Sequence, residues 1–230
     1  MSYILYEGES LVDKKPIVVI MTGVDSPSQN SKTGAMAQTY ILRSDISPVE
    51  AVKTKEDISV CGECPHRGTT CYVNVTQGPT SVWNAYKRGK YKPINLIKAG
   101  YNRSIRLGAY GDPNVPIEVW DKLLSKARMW TGYTHQPLQA PGLMKYVQAS
   151  ADTPEEALHY QSLGWKTFRV KVAGEPLLKG EVLCPNTATG MQCSQCGLCN
   201  GVQKNVAIDV HGLKHKIDKY ALWRDQLEIN

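Results

Sequence analysis

The sequence predicts an α/β fold: an incomplete or irregular (β/α) barrel, TIM-barrel-like with parallel strands, carrying cysteine-rich metal-binding loops. Three observations point there. Short β-rich runs alternate with helical segments from residue 105 onward, polar groups recur just behind the predicted strand ends, and all seven cysteines fall in two loop clusters. At 230 residues the chain is short for eight full βα units, so the barrel is expected to be incomplete. It reads as one domain over residues 1–230, with cysteine loops at 61–71 and 184–199.

Ile17 to Met21 is an apolar run ahead of Gly23, Asp25 and Pro27, the pattern of a buried strand. Gln38 to Arg43 is a second β-rich run. Ser47-Pro48-Val49-Glu50 sets a capping hydroxyl, a proline at the first helical position and an acid three residues on, so a short helix begins there. Another helix covers Thr80 to Arg88 and stops at Gly89. Then the alternation becomes regular. Ile105 to Tyr110 is a strand, and Pro116 to Arg128 is an amphipathic helix with Ile117, Val119, Trp120, Leu123 and Leu124 on its apolar face. Met129 to Thr134 and Met144 to Ala149 are strands. Thr153-Pro154-Glu155-Glu156 starts a helix that ends near Gly164. Trp165 to Val172 and Val206 to Val210 are strands, and a terminal helix runs from about Lys214 to Leu227.

Composition narrows the function. Hydrophobic residues at 42% and charged residues at 21% exclude wholesale disorder. No apolar run is long enough to span a bilayer, and the N-terminus does not read as a signal peptide, so no membrane partner is expected. The net charge of +6 is scattered. Its densest group, Lys87-Arg88-Gly89-Lys90-Tyr91-Lys92, reads as a solvated turn or as a phosphate-contacting loop, which leaves nucleic acid open as a partner.

The cysteines carry the chemistry. An odd count set among Gly, Pro, Thr, Gln and Asn argues for metal ligation over disulfides. Cys184, Cys193, Cys196 and Cys199 form a remote thiol plus Cys-x-x-Cys-x-x-Cys, the arrangement that ferredoxin-type [4Fe–4S] clusters use. A tetrathiolate zinc site is the alternative. Cys61, Cys64 and Cys71 offer three thiols for a second cluster with one open iron, or a Cys₃His zinc site with His66. Cysteines from both groups sharing one centre is a third arrangement. One or two clusters are therefore expected.

Polar residues behind strand ends are the candidates for chemistry at a barrel mouth: Asp112, His135, Ser150 with Asp152, Arg169 with Lys171, and His211. Asp112, His135, Asp152 and His211 are the candidate catalytic residues. Asp152 beside Thr153-Pro154 equally suits a helix cap, and His135 a surface position.

Several stretches, Lys32-Thr33-Gly34, Ser59 to Arg67, Cys71 to Val75, Arg106 to Pro113, Trp130 to His135 and Cys196-Gly197-Leu198-Cys199, resemble a cysteine-rich family of bacteriophage and prophage proteins. The resemblance covers most of residues 32–211 and implies a viral origin and a bacterial host cytoplasm, without bringing an activity. A more distant likeness is to radical S-adenosylmethionine enzymes, which place a three-cysteine cubane at the mouth of an incomplete (β/α) barrel and auxiliary cubanes near the C-terminus. It implies the first part for Cys61, Cys64 and Cys71, the auxiliary part for Cys184, Cys193, Cys196 and Cys199, and S-adenosylmethionine as a cofactor. That superfamily spaces its cysteines Cys-x-x-x-Cys-x-x-Cys, whereas here Cys-x-x-Cys is followed by a six-residue gap. The expected function is a phage iron–sulfur protein with a redox or substrate-modifying role and a host electron donor. A zinc-stabilised nucleic-acid or protein binding module without catalysis is the alternative, and a non-catalytic redox or metal carrier a third.

Overall fold

The computed structural model describes residues 1–26 and 30–229, and Pro27 lies outside them. Three strands open the chain: β1 (Tyr3–Glu9), β2 (Pro16–Thr22) and β3 (Ala37–Arg43). They form an antiparallel meander in which Ile17 to Met21 are fully buried, as the apolar run predicts. Next come α1 (Pro48–Lys53), α2 (Ile58–Cys61), α3 (Gly78–Lys87), the two-residue β4 (Lys92–Pro93) and α4 (Leu96–Gly100). Ser47 caps α1 by accepting the Glu50 N–H at 3.2 Å.

The alternating half follows: β5 (Ser104–Tyr110), α5 (Ile117–Leu124), β6 (Met129–Thr134), β7 (Gln148–Ala151), α6 (Pro154–Ser162) and β8 (Thr167–Lys171). Then come β9 (Glu181–Leu183), α7 (Pro185–Thr189), α8 (Cys193–Cys196), β10 (Asn205–Asp209) and α9 (Lys214–Ile229). Two boundaries differ from the sequence reading by more than two residues. The α5 helix stops at Leu124, because the chain must turn for the Arg128 N–H to reach Arg103 O at 2.9 Å and enter β6. Met144 and Lys145 belong to a 3₁₀ turn, Pro141–Lys145, so β7 starts at Gln148 and takes in Ser150. β1, β4 and β9 carry no strong apolar signal and were not expected as strands.

All ten strands join one sheet in the order β4-β1-β2-β3-β5-β6-β7-β8-β10-β9. From β3 through β9 every neighbouring pair is parallel. The protein is therefore α/β with a mostly parallel sheet, as expected, but the sheet is not closed into a barrel. The antiparallel meander occupies one flank, and the end strands β4 and β9 have only two and three residues, too little to pair across a closure. Among the described residues no helix is long and apolar enough to cross a membrane.

The two faces of the sheet differ. Ile105, Leu107 and Ala149 pack with Val119, Trp120 and Leu123 of α5 in the apolar core. Gly132 on this face leaves room for Val147, whose Cγ1 would lie 2.6 Å from any Cβ there. Register places Arg106, Thr131, Tyr133, Gln148, Ser150 and Phe168 on the opposite, more polar face. That polar face receives the C-terminal cysteine segment.

Candidate metal and strand-end sites

The segment carrying Cys184, Cys193, Cys196 and Cys199 is docked by backbone hydrogen bonds. Cys184 leaves the end of β9 with its N–H on Ala207 O at 2.8 Å. The N–H groups of Cys193 and Ser194 donate to Lys32 O and Thr33 O at 2.9 and 3.0 Å, and Cys199 O accepts the Gly132 N–H at 2.9 Å. Left-handed glycines, Gly190 and Gly197, end the two short helices and turn the chain back on itself. Gly34 sits at φ 64°, and a Cβ there would fall 2.4 Å from both Gln192 Oε1 and Ser194 Oγ. Lys32-Thr33-Gly34 is thus the cradle of this segment.

The other three thiols act on Cys199: burial pushes its thiol up, the neighbouring Tyr133 pulls it down, and Cys184, Cys193 and Cys196 push it further up. Burial likewise raises Cys193, opposed by the Arg106 guanidinium. Two cations face the group. Burial holds the Lys32 ammonium below its usual range, while Cys184 and Cys193 pull it back up. Arg106 is held above its range chiefly by Tyr72, with Tyr133, Cys193 and Cys199 adding to it against burial. Its guanidinium also lies 6.0 Å from the Tyr133 ring centre, and Tyr133 stacks on Phe168 at 4.3 Å.

The second group sits at the strand ends. The α2 helix carries Cys61, and Val60 O accepts the Asp112 N–H at 2.7 Å, which ties that helix to the end of β5. Arg67 staples the loop through Asp57, Gly62 O and Lys55 O. The Cys71 N–H returns to His66 O at 2.9 Å. Burial raises the Cys61 thiol, with Asp57, Cys71 and Cys64 adding to it. The three thiols therefore share one environment.

His66 does not leave its imidazole free beside them. Its Nδ1 pairs with Thr70 Oγ1 at 2.6 Å and its Nε2 with Asp152 Oδ2 at 2.9 Å. His135 Nε2 stands 3.7 Å from the same carboxylate oxygen. Burial works against charge on His135, but the neighbouring Asp152 carboxylate and Cys64 thiol hold its imidazole well above the ordinary range. Burial also opposes the Asp152 carboxylate, yet His135 and His66 win and hold it below its usual range. The Asp152 side chain does not cap α6. Thr153 Oγ1 accepts the Glu156 N–H at 3.1 Å, and Glu156 accepts the Asp152 N–H at 2.8 Å. Helix α9 covers this corner with Tyr220, whose one hydroxyl proton is shared between Asp152 Oδ1 at 3.0 Å and Val170 O at 2.9 Å.

Of the predicted chemistry-bearing residues, Asp112, His135 and Asp152 meet at the ends of β5, β6 and β7. Asp112 is already occupied: it accepts from Thr134 Oγ1, the His135 N–H and the Asn114 N–H at 2.9–3.1 Å. His211 follows β10 with its Nδ1 on Asp209 O at 2.9 Å, and is held down by burial and then by Lys32 and Arg106. It belongs to the thiol quartet's side. Ser150, Arg169 and Lys171 are corrections to the rim reading, because all three lie within strands. Arg169 falls on the face opposite Arg106 by register, fully buried and bidentate to Glu181 at 2.7 and 2.9 Å. Sequence reasoning missed Lys32, Arg106, Tyr133 and Tyr220 as site residues. A charged residue inside the apolar run Ile105-Arg106-Leu107 was the available signal for Arg106.

The fold and sites define a class: an open, mostly parallel α/β protein with one cysteine group on its polar sheet face and another at its strand ends. No protein-family model, no curated protein and no solved structure matches the chain.

Proposed function

We propose that this is an iron–sulfur protein in which Cys184, Cys193, Cys196 and Cys199 hold a [4Fe–4S] cluster, with a redox or substrate-modifying role at the strand ends. The observation that carries the reading is the docking in one segment of four thiols, three of them near enough to act on Cys199, beside two cations, Arg106 and Lys32. The donor set suits a cubane in kind: it is all-thiolate, closely spaced in sequence, and its segment is held by backbone contacts from Lys32, Thr33 and Gly132. A bound cubane supplies one-electron transfer. The chain's own residues tune it. Arg106 and Lys32 favour the more negative, reduced state, and Tyr133 sets a phenol beside Cys199. Cys61, Cys64 and Cys71 are the ligands of a second cluster in this reading, and a host reductase is the electron donor. The parallel strands then serve as an open counterpart of a barrel, with its mouth at Asp112, His135 and Asp152.

Anaerobic purification with iron, sulfide and zinc counted per chain tests this. About four irons with about four sulfides means one cubane, and about eight of each means two. Cys196→Ser should strip the cluster and lower thermal stability, because a metal site lends its binding free energy to folding. Zinc without sulfide in a colourless protein would replace this reading with the structural binding module.

A further inference from the structure

One set of donors is left over once the thiols are assigned. His66 lies in the loop between Cys64 and Cys71, His135 follows β6 and Asp152 follows β7, and one ligand atom of each lies within 4.8 Å of the others. We propose that His66, His135 and Asp152 form a separate mononuclear site for a divalent first-row transition ion such as Fe²⁺, Co²⁺ or Zn²⁺. Two imidazoles and one carboxylate suit these ions better than Mg²⁺ or Ca²⁺, which prefer all-oxygen shells.

The geometry favours an ion over a simple buried ion pair. Both Nε2 atoms face the same oxygen, Asp152 Oδ2, but only His66 reaches it, at 2.9 Å. His135 stands at 3.7 Å, too far for a hydrogen bond yet close enough to share a bound cation. The outer positions of two ligands are already fixed. Thr70 Oγ1 holds His66 Nδ1 at 2.6 Å, and Tyr220 Oη lies 3.0 Å from Asp152 Oδ1 while sharing its proton with Val170 O at 2.9 Å; contacts of this outer kind orient metal ligands. Helix α6 has its own cap in Thr153, so the carboxylate is not engaged in local structure there. The His135 side chain is 26% exposed, against 11% for His66 and 3% for Asp152, so the site opens to solvent chiefly on the His135 side. Three protein ligands with an open side is the pattern of a catalytic metal site, not a closed structural one. Binding requires the Nε2 atoms of both His66 and His135 to be free of protons, each neutral imidazole carrying its single proton on Nδ1, and any second proton leaves to solvent.

Co²⁺ titration of the anaerobically purified protein, with iron and sulfide counted in the same sample, tests the site. One equivalent should bind with the weak visible bands of nitrogen and oxygen ligands, without a sulfur-to-cobalt charge-transfer band, and should raise the thermal midpoint. Asp152→Asn should abolish this uptake or weaken it at least tenfold, and Tyr220→Phe should weaken it about 10–100-fold, with iron and sulfide unchanged. His135→Gln should do as Asp152→Asn does, and it spares the fold because Asp112 is bound by the His135 backbone N–H. Undiminished Co²⁺ uptake in His135→Gln, no uptake by the folded wild type, or a charge-transfer band that disappears in Cys64→Ser would each overturn the proposal. Cys196→Ser separates it from the cluster reading, since Co²⁺ uptake should survive there whether or not iron is lost.

Discussion

The guanidinium of Arg106 donates from Nη2 to the phenol oxygen of Tyr72 at 2.5 Å, joining the middle of β5 to the residue that follows Cys71. The same guanidinium faces Cys193 and Cys199. One strand cation therefore stands between two cysteine groups more than a hundred residues apart in the chain. Its position couples the polar sheet face to the strand-end corner, and it makes Arg106 the most informative single residue to change.

Arg106→Gln should shift the reduction potential of the quartet's cluster downward. Removing a positive charge disfavours the reduced state, by about 50–100 mV for a partly screened neighbour. A redox titration of the purified variant, at unchanged iron content, reads this directly. A potential equal to that of the wild type would show that Arg106 does not face the cluster.

Gly34→Ala should loosen the quartet segment. The residue sits at φ 64°, where a side chain costs about 1–2 kcal/mol, and its Cβ would also press on Gln192 and Ser194. Gly89→Ala is the matched control, because Gly89 has φ 65° but open space around its Cβ position and lies outside both cysteine segments. Faster iron release to a chelator is expected in Gly34→Ala and not in Gly89→Ala.

Asp112→Ala should cost more than the about 0.5–2 kcal/mol of a lost helix cap. It would strand the Thr134 hydroxyl, which is fully buried, together with the backbone N–H groups of His135 and Asn114. Denaturant unfolding gives the value. A loss below about 1 kcal/mol would mean that water replaces the carboxylate there.

Arg169→Met should destabilise the fold by about 3–5 kcal/mol, since it leaves the buried Glu181 without its cation and takes one of two from Glu175, which keeps Arg224. Iron and sulfide should be unaffected in the fraction that stays folded. Loss of cluster with stability intact would return Arg169 to the functional rim.

Local signals were sufficient for much of this fold. The apolar run at Ile17 to Met21, the Ser47 and Thr153 caps with their prolines, and the alternation through β5, β6, β8 and β10 all act within a few residues, and each formed as read. Met144 and Lys145, read as the start of a strand, close the 3₁₀ turn Pro141–Lys145 instead, because Met144 and Val147 are apolar without giving a usable period. β9 was missed because three residues carry no period at all.

The sequence by itself determined the residue types and spacings: two cysteine clusters, strand-end polar groups, and parallel α/β order, all properties of neighbours in the chain. Only the tertiary structure decided which of them meet. Register put Arg106 and Tyr133 on the face that receives Cys199 and put Arg169 on the other, and side-chain period two makes that choice all-or-none. Sheet order brought His135 and Asp152 to adjacent strand ends, and loop 61–71 then delivered His66 to them across 86 residues of chain. The two short end strands and the antiparallel flank left the sheet open. Such pairings depend on strand order and loop closure, which no local pattern encodes.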